Sequence, residues 1–143
     1  LGNLLCRNRL KYTSIMKEII TIEDIKLLVD AFYTKVRTDS LLAPIFNDKI
    51  QDRWPIHLEK MYRFWQTVLL NQHTYNGSPF VPHAKLPVDQ HHFDRWLLLF
   101  YETIDENFSG EKATEAKWRA EKMAEMFYHK IEYYKSNPDK LIL

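Results

Sequence analysis

Apolar residues recur along this chain at three- and four-residue steps, broken by short polar segments, which is the signature of amphipathic helices. Thr21 and Asp24 form a Thr-x-x-Asp capping box ahead of Ile22, Ile25, Leu28, Val29, Phe32 and Val36, predicting a helix that ends near Arg37. Asp39-Ser40 then caps a segment from Leu41 to Phe46, interrupted by Pro44 and closed by Asn47-Asp48, which reads as a tight helical corner. A longer helix begins near Asp52, tolerates Pro55 in its first turn and runs to about Leu70, with Trp54, His57, Met61, Phe64, Trp65 and Val68 along one side.

Asn71 to Pro79, with Asn76-Gly77 and Ser78-Pro79, is a loop of turn-forming residues. It leads into Val81-Pro82-His83-Ala84-Lys85-Leu86-Pro87, where prolines leave room for a turn or two of helix at most. Asp89 can cap a helix whose inward set is Phe93, Trp96, Leu97, Phe100, Ile104 and Phe108, ended by Ser109-Gly110. The same rule continues from Glu111 to about Tyr134 until Asn137-Pro138 stops it. With no strand alternation and no repeat, the expected fold is all-α, one domain over residues 17–143 behind an extension, 1–16, that reads as a flexible tail.

A chain of 143 residues, 45% hydrophobic, is long enough for one real core. Its 20 Lys plus Arg balance 19 Asp plus Glu, so no basic excess points to nucleic acid or an anionic membrane surface. No apolar run approaches the ~18 residues of a spanning helix. The single cysteine, Cys6, cannot form an internal disulfide, which fits a reducing cytoplasm. The first fifteen residues lack the apolar stretch of a secretory signal, although their basic composition would also suit a transit peptide or a short amphipathic helix. Three glycines leave no phosphate-binding loop or dinucleotide fingerprint, and no serine sits in a nucleophile-elbow context.

The candidate chemistry lies in the histidines. His73 sits in the polar loop and His129 beside Lys130, both reading as solvated. His91 and His92 are adjacent, and neighbouring helical residues point about 100° apart, so they are expected to form a solvated first turn rather than to chelate together. His83 differs, because prolines on both sides stiffen its backbone and an iron ligand must be held at fixed distance and tilt. With His57 and Tyr33 on apolar stripes, these are the parts of a haem pocket, since neutral imidazole is the usual protein donor to haem iron.

Six segments carry a resemblance in order: Ala31 to Arg37, Leu42-Ala43-Pro44-Ile45-Phe46-Asn47, Trp54-Pro55-Ile56-His57 to Phe64-Trp65, Tyr75-Asn76-Gly77-Ser78-Pro79, Pro82 to Pro87, and Phe93-Asp94-Arg95-Trp96-Leu97. Together, over roughly Lys17 to Tyr134, the chain resembles the group III truncated haemoglobins of bacteria. The resemblance implies a two-over-two helical sandwich around haem b. It makes His83 the proximal metal ligand, Tyr33 the donor to a bound gas, His57 a distal histidine that swings as a gate, and Trp96 part of the distal wall. Phe46 packs on the haem, Phe32, Met61, Phe64 and Phe93 join the cofactor contacts, and Lys60 and Lys85 are candidates to meet the propionates. Met61 departs from the branched aliphatic common at its position, and its flexible thioether bears on how far the distal side opens.

The resemblance implies reversible binding of dioxygen, and of nitric oxide and carbon monoxide, in the oxygen-binding and carrier class. Donors at Tyr33 and Trp96 would each hold a charge-bearing ligand by roughly 1–3 kcal/mol. Such retention suits redox detoxification of nitric oxide or peroxide as the alternative, which needs a reductase in trans because no flavin or nicotinamide domain is present. A monomer or weak oligomer is expected. The remote alternative is a haem-free helical interaction module whose aromatics only pack.

Overall fold

The computed structural model of the protein describes residues 16–143. It contains helices α1 (Ile22–Val36), α2 (Ala43–Ile50), α3 (Trp54–Leu70), α4 (Gln90–Asn107) and α5 (Glu111–Ser136), with a 3-10 turn at Val81–His83. Among the described residues there is no strand, only an isolated bridge between Lys17 and Phe108 that ties the chain entering α1 to the α4–α5 corner. The expected extension lies, apart from Met16, outside the described residues.

The starts of α1 and α4 follow from capping chemistry. Thr21 accepts from the Asp24 amide while the Asp24 carboxylate accepts from the amides of Ile20 and Thr21, so the box closes in both directions. Asp89 closes an equivalent arrangement with His92 at the start of α4. The corner and the helix after it have other bounds than the sequence reading gave, and the corner's helix starts at Ala43 rather than Leu41. The corner does not stop at Asn47-Asp48 but continues as helix to Ile50, because Asn47 Oδ1 accepts from Trp54 Nε1 at 3.2 Å and Ile50 is buried. The next helix begins at Trp54 instead of Asp52, which falls inside the intervening turn closed by the Arg53 amide on the Ile50 carbonyl.

α1 packs against α3 and α4, and α4 against α5, giving two helix pairs with a shared seam. Phe32, Phe100, Leu28, Leu69 and Ile104 fill that seam, each side chain contributing roughly 1.5–3 kcal/mol on burial. Ala113, Ala116, Ala120 and Ala124 are buried on α5 and let it lie close to its neighbours. Gly110 makes the α4–α5 corner with φ +95°, and a Cβ there would meet Glu18 at 3.0 Å, so no other residue fits without strain. A second small cluster, Phe80, Ala84, Val88, Phe127 and Ile131, fastens the histidine-bearing segment to the far half of α5.

Candidate functional site

Between α3, the 79–88 segment, α2 and α5 lies a mainly apolar cavity of about 410 Å³, within the size range of small-molecule and cofactor sites. His83 lines it. The prolines of its segment bring the Pro79 carbonyl to 2.6 Å from His83 Nδ1, and since a carbonyl only accepts, Nδ1 carries the proton. The free lone pair is therefore on Nε2, the orientation in which a histidine ligates a metal with its other nitrogen anchored. Phe127 supports the ring at 4.9 Å. Burial lowers the His83 pKa, the Pro79 hydrogen bond opposes that, and Lys49 reinforces it, so the imidazole stays neutral.

The polar groups of the other wall come from α1, α3 and α4. Tyr33 and His57 meet edge to face, and both lean on Trp54 at 5.7 and 5.6 Å. Burial alone raises the Tyr33 pKa, keeping a neutral O–H donor. His57 Nε2 is buried without a hydrogen-bond partner among the described residues, which costs about 1–3 kcal/mol unless something fills its reach. Burial first, then the proximity of His83 and Lys60, lowers the His57 pKa to about 4. Trp96 also lines the cavity, stacked on Phe100 at 5.5 Å, which in turn stacks on Trp65 at 5.1 Å.

Of the residues singled out in the sequence, Tyr33, Phe46, His57, Lys60, Met61, Phe64, His83, Phe93 and Trp96 share this one cavity. Two do not. Phe32 stands behind it, almost fully buried and packed edge-on against Tyr33, Trp96 and Phe100. Lys85 is exposed and does not line it. Among the described residues the cations that do are Lys49, Arg53 and Lys60, and Arg53 is braced on the Lys49 and Ile50 carbonyls at 2.8 and 3.3 Å. Lys49, Arg53 and Phe127 escaped the sequence reading because the α2–α3 corner and the approach of α5 are tertiary features. Trp54 was visible on the His57 stripe, three residues away, but its role as a backstop was not.

The comparisons agree with this geometry. The model of the family described as bacterial-like globin matches residues 15–132. The chain is 36% identical over 121 residues to the group 3 truncated haemoglobin ctb of Campylobacter jejuni, covering 82% of this chain and 95% of that protein. The chain belongs to the bacterial-like globin family. Its fold is the all-α globin fold: a crystal structure of group III truncated haemoglobin from Campylobacter jejuni superposes with a TM-score of 0.74 at 36% identity, over 81% of this chain and 95% of that one. No helix of the described residues of this globin is long and apolar enough to cross a membrane. Its residues fit a haem: one nitrogen of His83 is anchored and the other free, His57, whose buried Nε2 has no partner among the described residues, lines the same apolar space, and Lys49, Arg53 and Lys60 stand at the lining.

Proposed function

We propose that this cavity holds haem b through His83 and that the protein binds dioxygen, and other diatomic gases, reversibly. When bound, the haem supplies an iron with one coordination position open to a gas. Everything else falls to the chain. His83 would hold the iron through Nε2, and the Pro79 carbonyl, 2.6 Å from Nδ1, fixes the tautomer and the ring orientation. Phe46, Met61, Phe64 and Phe93 supply the apolar faces, and Lys49, Arg53 and Lys60 offer positive charge for the two carboxylates of the cofactor.

On the ligand side the Tyr33 hydroxyl would donate a hydrogen bond to a bound gas, with the Trp96 indole N–H as a second donor, and His57 would control entry. The tyrosine is suited to this because its hydroxyl is neutral at any physiological pH. The observation that carries the reading is the anchored His83, since a cavity-lining imidazole with Nδ1 committed has only Nε2 to offer. Titration of the purified chain with hemin should give a Soret band near ~400–430 nm at one haem per chain, shifting when the reduced protein takes up carbon monoxide. A colourless protein with no stoichiometric uptake would leave the haem-free interaction module standing.

A second reading is favoured by the number of polar side chains, Tyr33, His57 and Trp96, that line one cavity. A carrier needs moderate affinity, whereas three polar groups suit retention and redox chemistry on nitric oxide or peroxide, with a reductase in trans. Sustained nitric oxide consumption with an electron donor separates the two readings. The single Cys6 is consistent with a reducing cytoplasm for either.

A further inference from the structure

The start of α4 brings together three side chains that the haem reading does not use. One donor atom each from Asp89, His91 and His92 lies within 4.8 Å of the others. Asp89 Oδ1 is in contact with His91 Nδ1 and lies 3.2 Å from His92 Nδ1, and the two imidazoles are 4.4 Å apart, tilted by 36°. We propose that Asp89, His91 and His92 form a binding site for a borderline divalent transition ion of the zinc and copper class.

The expectation that neighbouring histidines diverge fails here for a local reason. Asp89 is the N-cap and lies outside the helix, so both rings can fold back towards it rather than follow the helical fan. The His91 side chain is 63% exposed, so packing does not force it over the cap. Two imidazoles and one carboxylate are the donor set that zinc and copper prefer, whereas magnesium and calcium want oxygen alone. The helix N-terminus opposes a cation by only about two- to fivefold, and the Asp89 carboxylate works against that.

The position gives the site a consequence. His92 also lines the large cavity, and Val88, one residue before Asp89, lines it too while its carbonyl accepts from Lys135 Nζ at 2.9 Å. An ion held here therefore sits at the rim of the cavity and pins the junction between the His83 segment and α4.

Calorimetric titration of the 143-residue chain with Zn2+ tests this, in a Cys6→Ser background so that the thiol does not compete. One ion per chain is expected, bound in the micromolar range and not displaced by excess Mg2+. His91→Asn, His92→Asn and Asp89→Asn should each weaken it at least about tenfold. Asp89→Asn is the folding control as well, since asparagine still caps and helicity should be unchanged. His73→Asn and His129→Asn should bind as the parent does. The proposal is overturned if the parent binds no Zn2+ below millimolar concentration, or if His91→Asn or His92→Asn binds within about twofold of the parent. It is equally overturned if affinity disappears with His73 or His129, or if Mg2+ displaces the ion.

Discussion

Tyr33 and His57 meet edge to face, ring centroids 5.2 Å apart and planes at 88°. The contact joins α1 to α3 and puts a hydroxyl donor beside an imidazole whose Nε2 has no partner among the described residues. Replacing Tyr33 with Phe keeps the ring and removes only the donor. Dioxygen release should accelerate roughly five- to a hundredfold, the effect of about 1–3 kcal/mol. Stopped-flow off-rates within about twofold of the parent would remove Tyr33 from the role.

His57 should leave a mark on the acid side of stability. Burial holds its pKa near 4 in the fold against 6.5 for the free group. Between those values the unfolded chain takes up a proton that the folded one refuses, so stability is full above about 6.5 and declines as pH falls towards 4. His57→Leu removes this contribution. In melting curves the variant should gain on the parent across that window, and a pH-independent gap would contradict the assignment.

The cations at the cavity make a distinction that charge alone could not. Lys60 lines it and Lys85 does not. Lys60→Met should therefore speed hemin transfer to an acceptor globin several-fold, and Lys85→Met should leave the rate near that of the parent. Equal effects, or the reverse order, would place the propionates elsewhere.

Much of this was written in the chain. The stripe through Ile25, Leu28, Phe32 and Val36 specified α1 and its inward face, and the Thr21–Asp24 box specified where it starts, because both are local devices. The proline-bounded His83 was legible for the same reason. What distance along the chain concealed was which cations reach the cavity. Lys85 is two residues from His83, yet it points away, whereas Lys49 lines the cavity only because α2 runs on to Ile50. Asn47-Asp48 reads as a stop signal, and the Trp54 indole that overrides it comes from the next helix. The histidine pair failed in the opposite sense: helical angles separate His91 and His92, but the N-cap between helix and loop reunites them.

Gln51 is the one place where the sequence fights its own backbone near the site. It has φ 57° and ψ −122° at the second position of the turn from Ile50 to Arg53, a conformation that favours glycine. Gln51→Gly should stabilise the fold by about 1 kcal/mol, a few degrees in Tm. A lower Tm would mean that the side chain has a structural duty outweighing the strain.

The most direct test is the His83→Gly variant, which removes the imidazole and opens space for a free one. The account predicts a helical protein that purifies with little haem and no five-coordinate histidine spectrum, and regains the parent's ferrous spectrum when imidazole is added. A variant that carries one haem per chain with the parent's ferrous spectrum, without added imidazole, would contradict it.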